Sequence, residues 1–345
     1  MGTPIVLAAP DKFRGTASAP ALADAIVAAA RRCGFAGRAL PLADGGEGLC
    51  AVLGGESRSA RVHGPLGELV EARWMLRQDG DAPGATAVIE MAEASGLIGA
   101  GGPESNDPEA ATTAGTGELI AAAVAAGARR IVVGCGGSAT TDGGAGALDA
   151  LGDLDLTGIE LLVATDVTTP FVDAARVFGP QKGADAAAVA RLSARLERLA
   201  EEYWTRFGVE VRGLEGAGAA GGLAGGLAAR GGRIVPGFDL VASLVGLDEA
   251  IAQAAVVVTG EGCVDLPSFS GKVVGGVLER VGGQVPVLVV AGRVRSDAIA
   301  CFPPGVSWCD LVARAGEERA VHEPLALVGE VVEEFLARSV PGEIA

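Results

Sequence analysis

Short apolar runs alternate with alanine-rich stretches along this chain, and the alternation predicts strands that are each followed by a helix. Near the start, Pro4 to Ala9 is predicted as a strand and Ser18 to Cys33 as a helix, because Leu22 and Ile26 recur at helical spacing. A second strand is predicted around Arg38 to Ala43. Because strand, loop and helix recur in this order, the pattern indicates a parallel sheet.

The last third of the chain repeats this alternation. It predicts strands over Ala254 to Thr259, Val285 to Val290 and Trp308 to Ala313, and a final helix over Leu325 to Ala337. The 345 residues exceed the roughly 250–300 at which one core usually stops growing. We therefore predict an α/β fold of two domains with a cleft between them. Residues 1–62 plus 237–345 would form a Rossmann-like, doubly wound parallel sheet, and residues 63–236 an inserted α/β domain.

The predicted insert contains two strands, Thr86 to Met91 and Arg130 to Val133, with a helix over Gly115 to Ala126 between them. Two glycine-rich segments follow, Gly134 to Gly146 and Gly216 to Gly232. The second lacks the serine and charge of a flexible linker and is too apolar to stay solvated. We therefore expect this second segment to be packed closely against other backbone.

Charge and cysteine content narrow the function classes. The chain has 43 acidic against 27 basic residues, a formal charge of −16, which repels a nucleic-acid backbone. Its apolar runs are too short to span a bilayer, and no basic region precedes the first one, so neither a membrane helix nor a secretory signal is predicted. The six cysteines are too scattered for a CxxC metal site, and we expect free thiols in a reducing cytoplasm.

The segment from Ile131 to Gly144 leads from a strand into a small-residue helix, as phosphate-binding loops do. Its backbone amides could hold phosphate oxygens, and Ser138, Thr140 and Asp142 could bind substrate or metal. The alternative is a tight turn with a helix cap at Thr141 or Asp142.

Two further residues carry candidate chemistry. Asp166 follows the strand Leu161 to Ala164, where a carboxylate can hold a metal or accept a hydroxyl proton. Lys182 lies in a Gly-Pro-Gln-Lys-Gly turn and could meet a carboxylate or phosphate. A helix cap and a solvated surface lysine are the alternatives. The histidines, His63 and His322, lie outside the glycine-rich clusters, so acid–base chemistry would fall to Asp or Glu.

Two nucleotide-binding motifs are matched only loosely. Glycine patterns at Gly134 and Gly216 fit GxGxxA and GxGxxG, but no acidic strand end follows at about 20 residues. An NAD(P)-dependent oxidoreductase is therefore the second-ranked class. Lys272 follows Gly271 like the end of a P-loop, yet Leu266 and Val273 break the motif, which disfavours a Walker-type kinase.

Several blocks in chain order carry a more specific signal. Ala9 to Ala19 resembles the opening signature of the bacterial glycerate kinase family, the type that lacks a P-loop. The blocks that agree with it are Ala43 to Gly48, Gly137 to Gly144, Phe178 to Ala184, and Thr259 to Gly262 with Asp265 and Lys272. The resemblance covers nearly the whole chain. It implies phosphorylation of D-glycerate by ATP with Mg²⁺, usually to 2-phosphoglycerate, in a cleft between two α/β domains.

We further predict roles for residues in and near these blocks. ATP phosphates are predicted to lie against Gly136, Gly137, Ser138 and Thr140, with Mg²⁺ contacts from Asp44, Glu47 or Asp166. The catalytic set is Asp166 as the base for the acceptor hydroxyl, Asp142 as the alternative base, and Lys12 and Lys182 to balance carboxylate or phosphoryl charge. The predicted substrate contacts are Asp11, Asp44, Glu47, Asp265 and Lys272.

The chain departs from the family pattern at a few positions. The family more often has Asn where Thr141 and Thr169 stand, and it has Arg and Gln where this chain has Cys263 and Pro267. These changes leave open a kinase with altered acceptor preference, or a member that binds ligand but turns over poorly. A homodimer is a further expectation.

Overall fold

The computed structural model describes residues 2–78 and 84–339, in which strands and helices alternate. The strands are β1 (Ile5–Ala8), β2 (Ala36–Ala39), β3 (Glu56–His63), β4 (Leu69–Gln78), β5 (Ala85–Glu90), β6 (Ala128–Gly134), β7 (Glu160–Thr165), β8 (Arg233–Pro236), β9 (Val256–Val264), β10 (Val287–Val294) and β11 (Ser307–Asp310). The helices are α1 (Ala19–Arg32), α2 (Leu49–Leu53), α3 (Ala92–Ser95), α4 (Ala114–Ala125), α5 (Ala145–Leu151), α6 (Ala174–Phe178), α7 (Ala186–Phe207), α8 (Leu223–Ala229), α9 (Gly237–Val245), α10 (Leu247–Ala252), α11 (Val273–Val281), α12 (Leu311–Ala315), α13 (Glu317–His322) and α14 (Pro324–Ser339). This order confirms the predicted α/β class.

The chain divides into two compact units, and the first contains the residues up to Asp44 and those from Phe238 onward. Its sheet has the order β11-β10-β9-β1-β2, and every neighbouring pair is parallel. Helix α1 begins after Ser18, whose hydroxyl accepts a hydrogen bond from the Ala21 amide over 3.3 Å. Its buried face shares one core with apolar residues of β1, β9, β10 and α14. Both chain ends therefore contribute to one parallel sheet.

The second unit runs from Gly45 to Gly237. Its sheet has the order β3-β4-β5-β6-β7-β8, in which β3, β4 and β5 pair antiparallel and the remaining pairs are parallel. Residues 45–62, which the sequence analysis assigned to the first domain, lie in this unit, and β3 pairs with β4 along its whole length.

Two predicted strands end differently from expectation. The strand predicted over Trp308 to Ala313 is wrong beyond Asp310, because the Asp310 carboxylate accepts a hydrogen bond from the Ala313 amide over 2.8 Å and caps α12. Strand β2 ends at Ala39, although the amides of Leu40 and Leu42 still donate to the carbonyl oxygens of Ala8 and Pro10. Strand propensity does not detect a side-chain cap such as that of Asp310.

The 22-residue helix α7 was not predicted from the sequence. The side chain of Asp185 caps it by accepting the Ala188 amide over 2.7 Å, and Leu192 and Leu196 lie on its buried face. The opposite face carries charged residues and is exposed. Among the helices of residues 2–78 and 84–339, none combines the length and apolar character needed to cross a membrane.

The second glycine-rich segment packs closely against other backbone, as predicted, and the backbone it contacts is that of the first. A Cβ on Gly221 would lie 1.9 Å from the carbonyl oxygen of Thr140, and one on Gly226 would lie 2.7 Å from that of Gly143. The Gly143 amide donates to the carbonyl of Gly221 over 3.0 Å. Beside this contact, Ala220 adopts a left-handed φ of 53°. Side chains are excluded from the contact because the two backbones touch.

We expect Gly221→Ala to destabilise the second unit by about 3 kcal/mol or more, as large core effects do. Its φ of 68° is left-handed, and the new methyl would collide with the Thr140 carbonyl. The matched variant Ala220→Gly should change stability by less than about 1 kcal/mol, because relief of left-handed strain is offset by greater freedom of the unfolded chain. Thermal unfolding followed by circular dichroism measures both, and equal midpoints would contradict the packing argument.

Candidate active site

In the second unit, the segment Gly134 to Gly144, here called the glycine loop, leads from β6 toward α5. A Cβ on Gly136 would lie 2.8 Å from the Cα of Gly46 and 3.1 Å from the backbone nitrogen of Glu47. The Glu47 turn therefore lies directly against the glycine loop, and the Glu47 side chain is exposed. The structure brings these two predicted elements together.

Lys182 is a buried cation beneath the glycine loop. Its side chain is 2% exposed, and Nζ donates to the Ser138 hydroxyl over 2.8 Å and to the Thr140 carbonyl over 2.7 Å. Burial lowers the pKa of Lys182 to about 7, while the Asp142 carboxylate acts in the opposite direction. The alternative of a solvated surface lysine is wrong.

Asn106 was not selected from the sequence, yet it ties the glycine loop to the Lys182 turn. Its Nδ2 donates to the carbonyl oxygens of Ala139, over 3.1 Å, and Lys182, over 2.8 Å. Its Oδ1 is buried and has no hydrogen-bond partner among the described residues. An isolated asparagine in a polar stretch carries no motif, so no sequence signal pointed to it.

The Asp142 carboxylate holds the end of the glycine loop through hydrogen bonds. Its side chain is 1% exposed. One oxygen accepts from the amide and the hydroxyl of Thr113, over 2.8 and 2.7 Å, and from the Gly146 amide, and the other accepts from the Gly144 amide. This geometry fits the capping alternative, and the catalytic role of Asp142 stays a prediction. The buried Thr141 hydroxyl has no hydrogen-bond partner in the described ranges, so it does not act as the cap.

Asp166 follows β7 directly, as predicted, and its side chain is half-buried. It lies in the second unit together with the glycine loop and Lys182. Its predicted roles as base and metal contact stay predictions.

The first unit contains a pocket of about 470 Å³ near the carboxyl ends of β1, β9 and β10, here called the strand-end pocket. Open parallel sheets usually bind their ligands at this end of the strands. The charged side chains that line it include Asp11, Asp44, Glu261, Lys12, Lys272 and Arg293. Four of these six residues were predicted as substrate-binding or catalytic, and Glu261 and Arg293 were not.

Two carboxyl groups in this pocket are buried. Burial raises the pKa of Asp11 to about 6, with Asp44 adding to the rise and Lys12, whose Nζ lies 3.7 Å away, opposing it. Burial also raises the pKa of Glu261 to about 7. Perturbed carboxyl groups of this kind concentrate at functional sites. Glu261 stands inside the Thr-Gly-Glu-Gly block, so its signal was present in the sequence.

Asp265 has a local structural role and does not line the strand-end pocket. It caps the 3₁₀ helix Leu266–Phe269, where its Oδ1 accepts from the amide and the hydroxyl of Ser268. Pro267 stands in the first turn of that helix, where an amide has no intrahelical partner and proline is tolerated. Cys263 is exposed and lines the pocket. The departure at Pro267 therefore fits the loop, and the one at Cys263 changes a lining side chain.

The predicted metal contacts divide between the units, with Asp44 in the first and Glu47 and Asp166 in the second. Within residues 2–78 and 84–339, no group of three His, Cys, Asp or Glu side chains is arranged to hold a metal ion. Mg²⁺ in kinases is held by one or two carboxylates together with substrate phosphates, so a single carboxylate beside the glycine loop, such as that of Glu47, would suit that ion.

Comparison with known proteins identifies the family of this chain. The model of the glycerate kinase family matches residues 6–154 and 153–338. A protein of Escherichia coli named glycerate 2-kinase is 38% identical over 343 residues, covering 87% of this chain and 88% of the relative. An uncharacterized protein of Mycobacterium bovis is 44% identical over 318 residues, covering 87% of this chain and 82% of the relative.

A solved structure agrees in fold as well as sequence. The crystal structure of a protein assigned as glycerate kinase 2 from Salmonella typhimurium LT2 has a TM-score of 0.81 and 33% identity, over 97% of this chain and 98% of that chain. Family model, relatives and fold thus agree along nearly the whole sequence. This chain belongs to the glycerate kinase family.

Proposed function

We propose that this glycerate kinase transfers the terminal phosphoryl group of ATP, with Mg²⁺, to the 2-hydroxyl of D-glycerate. The observation that carries the acceptor class is the mixed charge of the strand-end pocket, where carboxylates and cations line one small cavity. A hydroxy acid needs a cation for its carboxylate and hydrogen-bond acceptors for its hydroxyls. The choice of the 2-hydroxyl is supported by the name of the Escherichia coli relative, glycerate 2-kinase.

Cations of the strand-end pocket would bind the carboxylate of the acceptor. Lys12, Lys272 and Arg293 line the pocket, and charge-assisted hydrogen bonds from such groups to a carboxylate are among the stronger ones. Asp11 and Asp44 line the same pocket and would accept hydrogen bonds from the hydroxyls. The family membership displaces the nicotinamide-dependent oxidoreductase alternative.

The glycine loop would hold the donor phosphates through the backbone of Gly136 and Gly137 and the hydroxyls of Ser138 and Thr140. Lys182 already binds two atoms of this loop, and the third N–H group of its ammonium would meet a phosphate oxygen. Mg²⁺, when bound, would neutralise phosphoryl charge, and Asp44, Glu47 and Asp166 are its proposed contacts.

A cytoplasmic location is proposed because the cysteines are free thiols, with Cys263 and Cys301 exposed. The homodimer predicted from the sequence stays a prediction, which size-exclusion chromatography with light scattering would check.

With Mg²⁺-ATP and D-glycerate, we expect ADP release and a single product, 2-phosphoglycerate, identified by phosphorus NMR. Glycerol, which lacks the carboxylate that the cations would bind, should not be turned over. A 3-phosphoglycerate product would overturn the proposed regiochemistry. ADP release with a different hydroxy acid, and none with glycerate, would overturn the substrate. Nucleotide-induced thermal stabilisation without any product would favour the weakened ligand-binding alternative.

We expect Lys182→Met to raise the KM for ATP by about tenfold or more, because it removes two charge-assisted hydrogen bonds that hold the glycine loop. The KM for glycerate should change by less than about threefold, since hydrogen bonds to the loop and not to the strand-end pocket are lost. Arg198→Met, on the exposed face of α7, is the matched control. Steady-state kinetics with each substrate varied in turn give these values, and an unchanged KM for ATP would contradict the role of Lys182.

A further inference from the structure

Glu261 lies near the carboxyl end of β9, where backbone contacts hold it beside Asp11. The Asp11 amide donates to the carbonyl of Gly260 over 2.8 Å. One residue earlier, the Thr259 hydroxyl donates to the carbonyl of Ala9, also over 2.8 Å. These contacts connect the end of β1 to β9 immediately before Glu261. The position of the Glu261 backbone is therefore fixed independently of any ligand.

The Glu261 side chain is buried, with 9% of its surface exposed, yet it lines the strand-end pocket. Its Oε1 is buried and has no hydrogen-bond partner within residues 2–78 and 84–339. A buried carboxyl oxygen without a donor is costly and rare. A donor on a ligand inside the pocket would remove that cost.

Charged and titratable groups of both signs face this pocket from each neighbouring element. The segment after β1 contributes Asp11, Lys12 and Arg14, and the segment after β2 contributes Asp44. The region from β9 to α11 contributes Cys263 and Lys272, with Asp265 close enough to act on Glu261, while β10 and α13 contribute Arg293 and Glu317. Asp11 and Asp265 raise the pKa of Glu261, while the Ser268 hydroxyl and Lys272 lower it, and burial is the largest cause of the net rise to about 7.

We propose that Glu261 is the general base that accepts the proton of the glycerate hydroxyl during phosphoryl transfer. This role rests on the proposed function and adds a catalytic residue to it. The hydroxyl proton passes to the Glu261 carboxylate while the hydroxyl oxygen forms the bond to the terminal phosphorus. The bond from that phosphorus to the bridging oxygen breaks, and its electron pair leaves with ADP. The protonated Glu261 then releases its proton to water.

The sequence analysis selected two other carboxylates, Asp166 and Asp142, for this role. Asp142 already accepts four hydrogen bonds from Thr113, Gly144 and Gly146, which leaves it poorly suited to take a substrate proton. Asp166, the base predicted from the sequence, does not line the strand-end pocket, whereas Glu261 lines it together with the cations proposed for the glycerate carboxylate. The test therefore includes Asp166→Asn.

The decisive measurement is the pH dependence of kcat, and of kcat/KM for D-glycerate at saturating Mg²⁺-ATP, for the parent, Glu261→Gln and Asp166→Asn. Glu261→Gln should lower kcat by about 10²–10⁴-fold, as loss of a general base does, with the KM for glycerate within about threefold of the parent. In the parent, kcat/KM for D-glycerate should fall as pH falls through about 7, because the base must be ionised in the free enzyme to accept a proton. This fall is the ascending limb of the pH profile. The profile of Glu261→Gln should lack this limb, and that of Asp166→Asn should keep it.

Controls separate this role from a structural one. Glu318→Gln makes the same change at an exposed position of α13 and should match the parent. Because the pKa of Glu261 is raised in the folded state, its ionisation costs the parent stability as pH rises through about 7. The thermal midpoint of Glu261→Gln relative to the parent should therefore increase between about pH 5 and pH 8. Glu261→Asp, which keeps a carboxylate, should retain the limb with a lower kcat.

Failure of the two proposals can be told apart. A parent that turns over D-glycerate, with a Glu261→Gln variant that keeps both its kcat and its ascending limb, overturns the role of Glu261 alone. Loss of the limb in Asp166→Asn and not in Glu261→Gln also overturns it, in favour of Asp166. If the thermal midpoint of Glu261→Gln lies below that of the parent by the same amount at about pH 5 and pH 8, Glu261 has a structural role instead. A parent without D-glycerate turnover overturns the proposed function as well.

Discussion

Both units depend on one constraint. Ionisable side chains near the ends of parallel strands are buried away from water. Lys182 in the second unit, and Asp11 and Glu261 in the first, are almost completely buried. Burying such groups costs free energy unless hydrogen bonds or opposite charges compensate. Lys182 is compensated by Ser138 and Thr140, whereas one oxygen of Glu261 lacks a partner in the described part of the chain. Lys182, which is compensated, holds the glycine loop in place. Glu261, which is not, has an oxygen that a hydrogen-bond donor on a ligand would satisfy.

Glycine makes the buried environment of Lys182 possible. The carbonyl oxygen of Thr140 accepts a hydrogen bond from Lys182 and also touches the backbone of Gly221 so closely that no Cβ fits there. The buried cation and the backbone packing are therefore parts of the same structure. The abundance of glycine in this chain reflects close backbone approach in these segments and not a flexible linker.

The departures from the family pattern can now be judged by position. Pro267 stands in the first turn of a 3₁₀ helix that Asp265 caps, so the missing amide is tolerated there. Cys263 is an exposed lining residue of the strand-end pocket, so the change from the family's arginine alters a side chain that a ligand can reach. The change at Cys263 lies in the pocket lining, so acceptor preference is the property that we expect it to affect.

The sequence by itself determined the α/β class, the parallel strands of both chain ends, the family and the glycine loop, because hydrophobic periodicity and collinear motifs are local signals. It did not reveal β3, β4 or α7, whose exposed faces are charged, or that β11 stops where Asp310 caps a helix. Tertiary structure alone decided that Lys182 is buried and that the Asp142 carboxylate accepts hydrogen bonds from Thr113. It also decided that Asn106 contacts the glycine loop and that Glu261 lines the strand-end pocket, since burial and hydrogen-bond partners depend on residues distant in the chain.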